Sequence, residues 1–273
     1  MLPPMASPPA DPLSAQLSFG TPQKIYLWLA ALFVASLLVA DVLGVKLFRI
    51  PLGFSFGVPW QDAPVDAIQH TCGMLTFPLT FLLTDLVNEF YGKRAARRLV
   101  WIGFAAGGFA FLVMNIALAM PHWEVPFNIN AKSFDDVFSS SRVMYVASLA
   151  AYLVGSLTDI AVFGWLKRIT GGKRVWLRAT GSTIVSQAID SFIVTWLAFS
   201  VGRTVIASDL PPMPFSEILA TAATGYMLKF VLSITLTPVI YLGRWVMIRR
   251  FGMHPLPADP AAPRPDAVEP PRG

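Results

Sequence analysis

The chain has 273 residues, of which 55% are apolar and 14% charged, with a mean hydropathy of +0.58. A soluble domain has roughly 45–50% apolar and about 25% charged residues, so the balance largely excludes a soluble enzyme. The single cysteine, Cys72, allows no internal disulfide, and no CxxC or Cys/His cluster points to a metal or other cofactor.

In chain order, residues 1–22 are rich in Pro, Ala and Asp and read as a disordered tail. They lack the basic n-region of a cleavable signal, so the first apolar run is expected to stay as an anchor. Runs of spanning length follow at Ile25–Leu43, Thr71–Phe90, Leu99–Met120, Val143–Leu166, Ala179–Val201 and Ile218–Ile248. Each is near the roughly 20 residues that cross the hydrocarbon core. The sequence therefore predicts an all-α polytopic membrane protein, a bundle of six transmembrane helices over residues 23–251. Pro78 is expected to kink the second span, and the sixth is long enough to tilt or to break near Pro238. Residues 252–273 read as a second disordered tail.

Fifteen of the 21 basic residues lie before the first span, after the second and fourth, or from Arg244 to the end of the chain. By the positive-inside rule both termini are cytoplasmic. The net charge of +5 is thus a topology signal, and no nucleic-acid partner is implied; the partner that composition does imply is the lipid bilayer.

Charge inside the bilayer carries most information, since an ionisable group at a helix centre costs at least about 2.5–3.5 kcal/mol. Span one holds Asp41, span two Asp85 and Glu89, span four Asp159, span five Asp190 and span six Lys229. Lys46 is placed to snorkel, and Glu89, just before Tyr91-Gly92-Lys93, to reach cytoplasmic water. For Asp85, Asp159, Asp190 and Lys229 a site is weighed against an ion pair that only fixes helix packing. Phe77, Phe81 and Asp85 recur every four residues, with Asn88 and Glu89 continuing the same face. In span five, Ser182, Ser186 and Asp190 do the same, with Gln187 alongside. Two phenyl rings plus carboxylates and an amide suit a flat, polar, nitrogen-rich ligand. The bland alternative is that the small and aromatic residues serve helix packing.

Several chemistries are missing. Gly92-Lys93 and Gly172-Lys173 are preceded five positions back by Val87 and Lys167 rather than glycine, so there is no phosphate loop. Neither HExxH nor GxSxG occurs, and His70, His122 and His254 are too scattered for a triad or metal site. His70, at a span end, and His122, in an outer loop, read as interfacial residues. The motifs favour passage over catalysis.

Particular residues carry a resemblance. Thr84-Asp85-Leu86-Val87-Asn88-Glu89-Phe90-Tyr91-Gly92-Lys93 is followed by Ala96-Arg97-Arg98, by Gly155-Ser156-Leu157-Thr158-Asp159, by Ser182-Thr183, Ser186-Gln187 and Asp190, and by Tyr226-Met227-Leu228-Lys229-Phe230. Together they resemble the queuosine precursor transporter family, a branch of the vitamin uptake transporters, over about Ile25 to Phe251. The resemblance implies an inner-membrane importer of 7-cyano-7-deazaguanine and 7-aminomethyl-7-deazaguanine, bases salvaged for queuosine in transfer RNA. It is similar in span number to the substrate-binding subunits of energy-coupling-factor transporters, yet implies no ATP-hydrolysing module. Carried over by position, Asp85, Asn88, Glu89, Asp159, Gln187, Asp190 and Lys229 are expected to line the site; Ser186, Phe77 and Phe81 join them from the two stripes.

Five intramembrane carboxyls, Asp41, Asp85, Glu89, Asp159 and Asp190, stand against Lys46 and Lys229. That excess is costly unless a proton, a cation or a cationic ligand shares the site, so proton-coupled import is one reading and facilitated diffusion with trapping another. Two further readings stay open: the binding subunit of an ATP-driven vitamin or nucleobase importer, and a membrane enzyme using Asp85, Glu89 and Asp190. No nucleophile or metal motif accompanies the last. The stretch Ala105-Ala106-Gly107-Gly108 is consistent with either a homodimer interface or internal packing.

Overall fold

A computed structural model describes residues 19–59, 61–138, 142–205 and 211–257. Both tails lie outside the described residues except at their inner edges. The first helix, α1, spans Thr21–Leu43, with Pro22 in its first turn, where a missing N–H leaves no bond unmade. It leads to an antiparallel hairpin, β1 (Leu47–Val58) and β2 (Gln61–Thr71). A short 3₁₀ turn, Cys72–Leu75, then enters α2 (Phe77–Tyr91). There follow α3 (Lys93–Ala119), α4 (Ala131–Phe138), α5 (Arg142–Ile169), α6 (Val175–Trp196) with a π-helical extension Leu197–Val201, α7 (Gly202–Val205), α8 (Phe215–Thr235) and α9 (Thr237–Phe251).

Helix dominates, as the sequence predicts, but among the described residues five segments rather than six are long and apolar enough to cross a membrane: Thr21–Leu43, Lys93–Ala119, the stretch that holds α5, Val175–Val201 and Phe215–Thr235. The second predicted span is instead the end of β2, the 3₁₀ turn and the 15-residue α2. At 1.5 Å per residue such a helix reaches only about 22 Å. Pro78 does not kink its middle: it lies in the first turn of α2, where proline is tolerated. The sixth segment breaks at Leu236, with Pro238 opening α9. The hairpin is a departure from the all-α expectation; Phe48, Ile50, Phe54 and Phe56 supply the bulky residues that favour strands.

The apolar residues are arranged inside out relative to a soluble fold. Trp28, Trp101, Phe109, Leu112 and Trp165 face outward, whereas Asp85, Asp159, Ser182, Ser186, Gln187 and Asp190 are buried. A core of Phe33, Leu37, Leu83, Val87, Leu99, Val100, Tyr152 and Ile160 joins α1, α2, α3 and α5. A second, of Ile25, Leu82, Leu86, Phe90 and Met247, brings in α9. Gly92, at φ +84°, makes the sharp α2–α3 turn that a side chain would strain. In α3, Gly107 packs within the chain, where a Cβ would lie 2.8 Å from Leu149 Cδ1, while Gly108 faces open space. Residues 252–257 continue inward past the boundary drawn from composition: the Leu256 N–H donates to the Glu89 carbonyl at 3.0 Å.

Candidate functional site

The polar stripes of α2 and α6 meet across a chamber. Its walls include Phe77, Phe81 and Asp85 of α2, Thr183 and Gln187 of α6, Lys229 and Ser233 of α8, and Leu236 at the break before α9. Breaking the helix there lets the chain turn beside the chamber without displacing Lys229. This inner chamber is narrow, about 30 Å³, room for one water molecule. It adjoins an outer chamber of about 200 Å³ that shares Met74, Phe77 and Lys229 with it and adds Asp41, His70, Tyr145, Ser148 and Asp190. The outer chamber in turn adjoins a cavity of about 470 Å³ beside the hairpin, sharing His70, Thr71, Met144, Val194 and Lys229. Lys229 borders all three.

Lys229 pairs with Asp190, Nζ to Oδ2 at 2.5 Å, and its ammonium sits 5.6 Å from the centre of the Phe77 ring. Gly155 of α5 permits this placement of Asp190: a Cβ on the glycine would lie 3.2 Å from that of the aspartate. Phe77 and Phe81 meet edge to face, centroids 5.1 Å apart. Asp85 is 2% exposed, and neither of its carboxyl oxygens meets an N–H or hydroxyl donor; its carboxyl meets that of Asp159. Asp159 accepts from Ser186 at 3.1 Å. Gln187 is also 2% exposed, and both its amide oxygen and its amide nitrogen lack protein partners. Buried polar groups normally find partners. Among the described residues, Asp85 and Gln187 thus bring a carboxyl and an amide without protein hydrogen-bond donors or acceptors to the inner chamber.

Of the ten residues expected from sequence, Phe77, Phe81, Asp85, Gln187, Asp190 and Lys229 border the two chambers. Asp159 and Ser186 stand behind Asp85. Asn88 is buried with its amide nitrogen unpartnered, and is not part of either wall. Glu89 does not reach water as expected: it is 4% exposed, accepts from Lys167 at 2.9 Å and from Arg178, and has Arg244 Nε at 3.9 Å. The reason is local. Gly171 and Gly172 adopt positive φ, turning α5 back into α6, and Arg178 Nη1 then donates to the Gly172 carbonyl at 2.7 Å. Two residues that read as loop cations thereby become interior partners of Glu89.

His70 is not merely interfacial, because it borders both the outer chamber and the hairpin cavity. Its Nδ1 accepts the Thr71 N–H at 2.8 Å. Burial, reinforced by the Lys229 charge, lowers its pKa to about 4, so the ring is neutral at pH 7. Its position was hidden because nothing in the sequence marked residues 47–71 as a hairpin. Among the described residues no group of three or more His, Cys, Asp or Glu could hold a metal ion.

An apolar exterior, spanning helices and a polar interior with connected chambers define a multi-pass membrane protein. Residues 71–243 match the family described as "Putative vitamin uptake transporter". The "Probable queuosine precursor transporter" of Bacillus subtilis (strain 168) is 30% identical over 176 residues, 64% of this chain and 71% of that protein. The protein of the same description from Haemophilus influenzae is 31% identical over 155 residues, 55% of this chain and 61% of its own. The "Queuosine precursor transporter" of Escherichia coli (strain K12) is 28% identical over 129 residues, 47% and 55% respectively. In the latter two the chain thus spans less than two thirds of the relative's length. No solved structure matches. The chain belongs to the vitamin uptake transporters, in the branch of the queuosine precursor transporters, and is a multi-pass protein of the bacterial inner membrane.

Proposed function

We propose that this protein is a transporter rather than an enzyme, and that it imports 7-cyano-7-deazaguanine and 7-aminomethyl-7-deazaguanine for salvage into transfer-RNA queuosine. The observation that carries this reading is the joint occurrence of unpartnered Asp85 and Gln187 with Phe77 and Phe81 on one wall. A deazaguanine is flat and presents N1–H and an exocyclic 2-amino group, which a carboxyl accepts, and a carbonyl O6, to which an amide N–H donates. The base lies across the junction of the two chambers, one face on Phe77 and its hydrogen-bonding edge toward Asp85 and Gln187. Lys229 and Asp190 line its path, while Asn88, Asp159, Ser186 and Glu89 hold these groups in place. The relatives' names support the substrate class.

With Glu89 and Asp190 matched by cations, the intramembrane carboxyls without a basic partner among the described residues are Asp41, Asp85 and Asp159. A proton carried by the touching Asp85–Asp159 pair couples import to the proton gradient, with both termini and the Glu89 cluster on the cytoplasmic side. The test is uptake of each radiolabelled base into proteoliposomes with and without an imposed pH gradient. Saturable uptake that rises with inward proton flow supports the reading. No saturable uptake of either base overturns the substrate; uptake indifferent to the gradient overturns the coupling.

A further inference from the structure

We infer that Asp41 is the counter-ion for an ammonium group on the ligand, so that the outer chamber discriminates a cationic base from a neutral one of the same shape. This rests on the substrate class proposed above and adds a residue and a selectivity to it.

Asp41 lies in the last turn of α1, and Gly44, which ends that helix, donates its N–H to the Asp41 carbonyl. Both residues border the outer chamber. The carboxyl lies beside the Tyr145 hydroxyl, which donates to the Gly107 carbonyl at 3.0 Å. Asp41 Oδ2 is buried and has no protein donor. The other titratable groups on this chamber are already matched or uncharged. Lys229 and Asp190 neutralise each other at 2.5 Å, and His70 is neutral at pH 7 for the reasons given. The Tyr145 phenol is uncharged there too. One carboxyl is left without a cation, at the carbonyl end of a helix, where the backbone dipole adds to the pull on positive charge.

A chamber with this charge balance accommodates one monovalent cation that hydrogen-bonds, and with Asp190 taken by Lys229 the acceptor left for it is Asp41. The aminomethyl substituent is a primary alkylamine and carries that charge at pH 7; the cyano substituent does not. Because the outer chamber joins the inner one at Phe77 and Lys229, a base held by Asp85 and Gln187 directs its substituent outward to Asp41.

The test measures uptake of both bases by the full chain in proteoliposomes, for wild type, Asp41→Asn and Asp41→Glu. Loss of one charge-assisted hydrogen bond should weaken the apparent affinity for the aminomethyl base by about tenfold or more in Asp41→Asn, with the cyano base within about twofold; Asp41→Glu should recover part of the difference. A parallel fall for both bases, or no change for either, overturns the inference. A measurement needing no variant guards against misfolding: benzylammonium should bind purified wild type by calorimetry and benzyl alcohol should not. Equal binding of the two probes, or of neither, overturns the inference, and this holds even if wild type transports neither deazaguanine, which would be the separate failure of the substrate reading.

Discussion

Glu89 and Asp85 lie one helical turn apart on α2, and both are nearly inaccessible, at 4% and 2% exposed. Their surroundings are opposite. Glu89 is held by Lys167 and Arg178, with Arg244 close by, and even its backbone carbonyl is taken by Leu256. Asp85 has no ion pair and no hydrogen-bond donor of its own among the described residues, and it borders the chamber. The contrast separates a charge used to fasten helices from one left available. Glu89 ties α2 to α5 and α6, closing the end of the bundle where the basic residues gather. Asp85 forms no ion pair of this kind, and under the proposed function its burial is offset by the base that enters the chamber.

The comparison breaks if the two residues behave alike on substitution. Glu89→Gln leaves Arg178 and Lys167 buried without their carboxylate, a change worth about 3–5 kcal/mol; the expected outcome is a large drop in thermal midpoint in detergent, read by tryptophan fluorescence. Lys229→Met should also destabilise, since Asp190 loses its partner, while the double variant with Asp190→Asn should recover part of the loss. A coupling between them of about 0.5–3 kcal/mol is expected from thermal unfolding of the four proteins. Asp85→Asn should unfold no earlier than wild type, because no cation loses a partner, yet should lower base affinity by about tenfold or more. Equilibrium binding of the tritiated base measures this; a midpoint that falls with the affinity would assign Asp85 to the fold instead.

The smallest effect is that of pH on His70. Its folded-state pKa, lowered to about 4 by burial and by Lys229, lies below the ordinary value near 6.5. As pH falls below that value the unfolded chain takes up the proton first, so the stability from a neutral His70 is intact above about 6.5 and is lost progressively down to about 4. Thermal midpoints of wild type and His70→Gln should therefore run parallel above pH 6.5 and converge or cross below it.

What was legible in the sequence had a strong local signature. Carboxyls and a lysine inside apolar runs, spaced at one helical turn with Phe77 and Phe81, mark the polar interior, and Phe77, Phe81, Asp85, Gln187, Asp190 and Lys229 border its chambers. The partners of Glu89 were not legible, because Lys167 and Arg178 sit at helix ends where basic residues ordinarily report orientation; only the turn at Gly171 and Gly172 brings them inside. The hairpin was hidden for a different reason. Its strands are interrupted by Pro51, Gly53, Gly57 and Pro64, and bulges shift their register between Pro51 and Phe56 and between Phe56 and Val58. The period-2 pattern that marks a strand is thereby blurred. At α2 the apolar run is longer than the helix it contains, because Pro78 restarts the helix after the 3₁₀ turn.

The 3₁₀ turn after β2 gives the protein a built-in chemical reporter. Cys72, the chain's single cysteine, is half-buried between Thr71 and Gly73, both on the outer chamber wall, and its backbone N–H is pinned to the Lys46 carbonyl at 2.7 Å. Thiol-reactive probes can therefore be applied to the native sequence, without first building a cysteine-free background. Labelling rates at this one position, followed with and without a deazaguanine, turn occupancy of the chamber into a kinetic signal from a single atom.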